Sequence, residues 1–193
     1  MRSFPLLILG FLLATLGCNT QTGLVPTETI VAESSNRDFG LTGTWNMTPD
    51  ADLGDEVGNF QIVIERNGSY TATATDPTGE IDAKFVCEFR AYEISKDHPH
   101  AIIDLEVKEG WVTPLRRLFV VATKDDHLHI WPIDGHKIGE HLYDDGVSAV
   151  IEHATFSSTV RCDPKKLLKS ISDHSADILG SPATYKRTAK NGG

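Results

Sequence analysis

The chain has 193 residues, of which 23% are charged and 40% hydrophobic, and a formal net charge of −9 at pH 7; these values bound it to one globular body plus a leader or tether. Its charges are dispersed, with no Lys/Arg block and no basic aromatic stripe, which argues against nucleic acid as a partner and against electrostatic attraction to anionic headgroups. It also lacks Gly-x-Ser-x-Gly, a phosphate-cradling glycine loop, Gly-x-Gly-x-x-Gly and His-Glu-x-x-His, so the common hydrolase, nucleotide-binding and zinc-protease classes find no support and no cofactor is implied.

At the start of the chain, Met1-Arg2 precedes an apolar run from Phe4 to Leu16 that stops at Gly17-Cys18. One positive charge, a short apolar segment and a small residue before the break mark an export signal, and the run is too short to span a hydrocarbon core of about 30 Å. The tetrad Thr15-Leu16-Gly17-Cys18 resembles the lipobox of bacterial lipoproteins. That resemblance implies cleavage before Cys18, acylation of Cys18 and tethering by lipid to a membrane outside the cytoplasm. Asn19 stands where an Asp would favour inner-membrane retention, so the resemblance points to the outer membrane of the cell envelope. An ordinary cleaved signal that releases a soluble protein and an uncleaved apolar tail are the alternatives.

On this reading residues 1–17 are a signal peptide and residues 18–38 are a lipidated Cys followed by a flexible tether rich in Thr, Ser and Glu. About twenty flexible residues would let the body stand off the membrane by tens of ångströms. Residues 39–189 form the folded body, and 190–193 a disordered tail.

Within the body the apolar pattern has period two. Leu41 to Met47 reads as a first strand; Phe60, Ile62 and Ile64 alternate with Gln61, Val63 and Glu65, and Asn67-Gly68 marks a tight hairpin into Tyr70 to Thr75. Asp76-Pro-Thr-Gly79 supplies a turn, after which a long strand from Ile81 to Ile94 carries Phe85, Cys87 and Phe89 on one face. Ala101 to Lys108 follows, and Leu115 to Thr123 and His127 to Ile133 form a hairpin about Lys124-Asp125-Asp126. Asp134-Gly135 opens a short helix carrying Ile138 and Leu142, weakened by Gly139 inside it. Glu152 to Cys162 reads as one strand. Asp163 as N-cap with Pro164 behind it opens a second helix bearing Leu167, Leu168, Ile171 and Ile178, which stops near Gly180, and Ala183 to Thr188 closes the body as a last strand.

The fold class is therefore mainly β: an antiparallel meander closing into a barrel or a strongly curved sheet, with one C-terminal helix before the last strand. Gly43-Thr44-Trp45 resembles the Gly-x-Trp signature of lipocalins. What this implies is a lipocalin-like barrel in which Trp45 closes the floor and Arg187, near the last strand, stacks on it. Another antiparallel barrel or sandwich is the alternative, with Trp45 an ordinary core aromatic.

With Cys18 assigned to lipid, Cys87 and Cys162 remain as an even pair in an oxidising compartment, and a disulfide between them is expected. It would close roughly 75 residues, worth about 4 kcal/mol on the chain-entropy account. Two reduced, buried cysteines are the alternative.

Histidine, with eight residues, is the one ligand type that clusters. His127 and His129 share a strand face with Trp131 and follow Asp125 and Asp126, so with a third ligand from His98 or His100 they could hold Zn²⁺. The alternative puts both imidazoles on a polar outer face while Leu128 and Ile130 face the core. His136 and His141 suit neither one helical face nor one strand face, and His153 and His174 read as isolated and solvated.

The function expected from these features is non-catalytic: a lipid-anchored envelope protein whose barrel binds a small apolar ligand or an envelope protein partner. Phe60, Ile62, Phe85, Phe89, Leu105 and Phe156 are the expected ligand-lining residues. A metal-dependent site at His127 and His129, or a purely structural lipoprotein, are the competing readings.

Overall fold

The computed structural model describes residues 23–26, 39–47, 61–67, 69–75, 84–94, 100–109, 115–154 and 157–188. Cys18, Phe60, His98 and Phe156, and with them the export signal, most of the tether and the C-terminal tail, lie outside the described residues.

Eight strands close into an antiparallel barrel of lipocalin-like, up-and-down design. In chain order they are β2 (Gly43–Met47), β3 (Gln61–Asn67), β4 (Ser69–Thr75), β5 (Lys84–Glu93), β6 (Ala101–Glu109), β7 (Leu115–Lys124), β8 (His127–Pro132) and β11 (Ala183–Arg187). Each pairs with its successor, and β11 closes the ring by pairing antiparallel with both β8 and β2, Tyr185 standing opposite Leu128 on one side and Met47 on the other. Closure removes the sheet edges that would otherwise invite pairing with another chain. Alternation along the strands sends Trp45, Ile62, Ile64, Ala72, Phe85 and Phe89 into the inner core.

A second layer packs on the outside of the wall. It consists of helices α1 (Gly135–Asp144), α2 (Pro164–Asp173) and α3 (Ser175–Ile178), and a separate three-stranded sheet of β1 (Gly23–Pro26), β9 (Val150–Ala154) and β10 (Ser157–Arg161). Ile102, Leu118 and Val120 on the outer face of β6 and β7 join Ile138, Leu142, Leu167 and Ile171 in this outer core. Because those strands are buried on both faces, they read as nearly continuous apolar runs rather than as alternation.

Both longer helices begin where their capping chemistry places them. The Asp134 carboxylate accepts from the backbone N–H groups of His136 and Lys137, and Asp163 does the same for Lys165 and Lys166. Gly139 sits inside α1 for want of room: a Cβ there would lie 2.9 Å from Ile151 Cδ1, so the residue that weakens the helix locally lets it dock on β9.

Two expectations are corrected by this layer. Glu152 to Cys162 is a hairpin, β9 and β10, rather than one strand, and both strands belong to the outer sheet and take no part in the barrel. The tether is also not structureless throughout, since Gly23–Pro26 runs parallel to β10, Gly23 opposite Ser157 and Pro26 opposite Val160. That pairing satisfies backbone groups along an edge of β10 that the barrel does not reach.

The expected disulfide is likewise corrected: no bridge joins Cys87 and Cys162. Cys87 packs against the inner core and Cys162 against the outer one. The wall stands between them, and two side chains on opposite faces of a sheet cannot bring their Cβ atoms to bonding distance.

Candidate functional site

One end of the barrel is sealed. The Trp45 indole N–H donates to the Leu41 carbonyl over 2.8 Å, and the Arg187 guanidinium lies 4.1 Å from the Trp45 ring centroid. Arg187 reaches further, its Nη1 donating to the Thr42 carbonyl at 2.8 Å and its Nη2 to the Gly40 carbonyl at 2.7 Å. Thr123 Oγ1 donates to the Phe39 carbonyl at 2.7 Å. Residues 39–42 are thereby stitched across the floor, with Phe39 and Leu41 turned into the core. Gly43 makes room for the stack: its φ is +144°, and a Cβ on it would come within 2.7 Å of Arg187 Nη1.

Above the floor the barrel holds a cavity of about 100 Å³ with an almost wholly apolar lining. Of the six residues expected to line it, Ile62, Phe85, Phe89 and Leu105 do so; Phe60 and Phe156 lie outside the described residues. The sequence reading missed Cys87, Phe119 and Tyr185, which also face the space. Burial pushes the Cys87 thiol up to about 11 and the Tyr185 phenol up to about 12, so both are neutral, weakly polar parts of the wall. The strand phase that paired Cys87 with Phe85 and Phe89 carried the signal for Cys87; Tyr185 was hidden in a short strand where its sequence neighbours Thr184 and Lys186 are polar.

Arg117, also missed, is 8% exposed and shares the barrel-facing side of β7 with Phe119 and Val121, while Leu118 and Val120 face the outer layer. Its Nη1 donates to the Arg116 carbonyl at 3.1 Å, and its buried Nε has no hydrogen-bond partner. Its neighbour Arg116 points outward and forms a two-pronged ion pair with Asp104, one contact being 2.6 Å from Nε to Oδ1.

The described histidines fall into three groups. On the outer face of β8, His127 and His129 have ring centroids 6.3 Å apart, His129 lies 5.6 Å from Trp131, and His100 sets its edge on Trp131 at 5.0 Å. His127 Nδ1 contacts the Asp125 carbonyl and His129 Nδ1 the Thr184 hydroxyl. Among the described residues no three His, Cys, Asp or Glu side chains form a group able to hold a metal ion.

The other four described histidines, read as unconnected, form two stacks. His136 on α1 lies on His153 of β9, and His141 on α1 lies on His174 after α2, each with centroids 3.9 Å apart. His141 Nε2 donates to Asp177, which also accepts from Lys137 Nζ, and His174 contacts Asp145, which accepts from Ser170 Oγ. Helix geometry alone could not show this, because the partners come from different elements. Beside the first stack, His136, Glu140, Tyr143 and Ile151 edge a shallow surface hollow of about 510 Å³.

Comparison of the chain with known protein families, with curated proteins and with solved structures gives no match.

Proposed function

We propose that the protein is a lipid-anchored, non-catalytic component of the cell envelope whose barrel takes up a small apolar molecule. The observation that carries the ligand half is the cavity of about 100 Å³ above a sealed floor. Interiors are ordinarily packed to crystal-like density, so a void of this size in a small barrel forgoes dispersion contacts that a ligand would restore. An engineered apolar cavity of about 150 Å³ admits benzene, which scales the occupant here to a short aliphatic segment or a small ring.

The anchoring half draws on the export signal ending at Cys18 and on the docking of Gly23–Pro26 against β10. Five residues from Cys18 to Gly23 span at most about 18 Å. An acylated Cys18 would therefore hold the outer layer close to the bilayer, in place of the tens of ångströms that a wholly flexible tether allows.

Two measurements test the halves separately. Metabolic labelling with a fatty acid should mark the wild-type chain and not Cys18→Ser; equal labelling of both would end the anchoring reading. Native mass spectrometry of the chain purified from membranes should retain a small apolar adduct, and an empty barrel that also fails to take up added apolar probes would end the ligand reading.

A further inference from the structure

Two charged side chains are buried among the described residues, Asp104 and Arg117. Asp104 is neutralised by Arg116 on the outer face. Among the described residues Arg117 has no carboxylate within ion-pair distance, one hydrogen bond to a backbone carbonyl, and a buried Nε left without a partner. An orphaned buried guanidinium is among the costlier features a small barrel can carry.

Its location is what gives the cost a purpose. Arg117 stands directly across the sheet from Leu105, which itself pairs with Phe89, and two residues along from Phe119, and all three line the cavity. Arg117 also lies toward the end of the barrel opposite the floor: β7 runs from Leu115 down to Lys124, whose hairpin into His127 adjoins Arg187. The apolar space thus has a tightly bonded seal below and, beside its lining residues Leu105 and Phe119 toward the other end, a buried guanidinium with no acidic partner among the described residues.

We propose that Arg117 is the headgroup site for an amphiphilic anion, a short monocarboxylate of the fatty-acid type, whose tail fills the cavity. The proposal rests on the small-ligand reading and adds its chemical class. A carboxylate would give the planar guanidinium the two-pronged partner it lacks, in a setting dry enough for a charge-assisted pair to be strong. A neutral tail of the same length fills the same space and leaves Nε orphaned, and a cation adds repulsion. Burial pushes Arg117 down from its ordinary value, and a bound carboxylate would reverse that push.

The test uses the whole lipid-anchored chain in nanodiscs, with empty nanodiscs as the blank, titrated calorimetrically with hexanoate, 1-hexanol and hexylammonium. Hexanoate should bind at least tenfold more tightly than hexanol, and hexylammonium more weakly than either. Arg117→Met should bring hexanoate down to the level of hexanol while leaving hexanol within about twofold, and Arg117→Lys should retain part of the preference. If hexanol and hexanoate bind equally to the wild type, or Arg117→Met leaves the preference intact, the headgroup assignment is overturned while the small-ligand reading stands. Should none of the three bind, both fall. If Arg117→Met does not fold, the wild-type panel together with Arg117→Lys decides the matter.

Discussion

The Arg187 guanidinium lies over the Trp45 ring at 4.1 Å because Gly43, two residues before the tryptophan, leaves the space that a Cβ would take 2.7 Å from Arg187 Nη1. The Gly-x-Trp spacing is thus a packing requirement as well as a backbone one, since φ of +144° is also hostile to any L side chain. Gly43→Ala should lower unfolding stability by about 2–4 kcal/mol, from backbone strain and the displaced stack together. Urea unfolding followed by tryptophan fluorescence checks this, and a loss below about 0.5 kcal/mol would show that the floor does not depend on the fit. Arg187→Met should fall in the same range, since it removes the ring stack together with the hydrogen bonds to the Gly40 and Thr42 carbonyls.

The β7–β8 hairpin turns through Asp125 and Asp126 at φ of 50° and 59°, both in the left-handed region that a two-residue turn of this type needs. Glycine serves best at the second of these positions. The Asp126 side chain contributes only a loose, exposed contact to Arg187 Nε at 3.7 Å, which is worth little, while its carbonyl accepts from the Arg187 backbone N–H whatever the side chain. Asp126→Gly should therefore raise stability by about 0.5–1 kcal/mol. An unchanged or lowered urea midpoint would mean that the ion pair outweighs the strain.

Most of the barrel was legible because period-two alternation needs only one covered face, and β3, β4, β5 and β11 have one. The two longer outer helices were legible from their caps, but their docking on the wall was not, for the same reason inverted: Leu118 to Ala122 is apolar at every position, so its two faces could not be told apart, and Arg117 could not be assigned to the inner side. Reading Glu152 to Cys162 as one strand then merged two short strands and brought Cys162 to the wrong face of the wall. The histidine stacks escaped because each joins residues from different elements, which no local periodicity records. Ile62, Phe85, Phe89 and Leu105 were found at the cavity because alternation and hydrophobicity agree there.

The clasp between α1 and the chain after α2 carries a pH dependence of definite sign. Asp177 is held below the usual carboxylate value, first by the hydrogen bond from Lys137 and then by that from His141; Asp145 is lowered first by Ser170 and then by His174. A carboxyl whose folded pKa is depressed stabilises in full above its unfolded value, here 3.8, and loses that contribution as pH falls through the folded one. Thermal stability should accordingly decline as pH drops below about 4, and Asp145→Asn with Asp177→Asn should flatten the decline. An identical slope in the double variant would place the acid sensitivity elsewhere.

Cys87 lies in the cavity wall with its thiol pushed up to about 11 by burial, so the reactive thiolate is scarce at neutral pH. Iodoacetamide at pH 7.5 should modify it at least a hundredfold more slowly in the folded chain than in urea, with no reductant needed in urea, as a residue outside any Cys87–Cys162 bridge requires. Peptide mass spectrometry reads both facts. A Cys87 that stays blocked in urea until dithiothreitol is added would restore the bridge and place the two cysteines on one face.

Arg117 sets stability against binding in the empty barrel. Arg117 is 8% exposed, lacks an acidic partner among the described residues and leaves Nε unbonded, so replacement by a side chain of similar volume and no charge removes a desolvation penalty without breaking an ion pair. The Arg116 carbonyl loses one donor from Arg117 Nη1, which offsets part of the gain by about 1 kcal/mol. Arg117→Met should still leave the ligand-free protein more stable, by about 1–3 kcal/mol, measured as the urea midpoint on delipidated material. Adding hexanoate should then raise the wild-type midpoint toward that of the variant while moving the variant little, because only the wild type has a charge for the carboxylate to neutralise. A destabilised Arg117→Met would mean that the arginine is already satisfied within the fold, and would remove the reason for expecting an anion beside it.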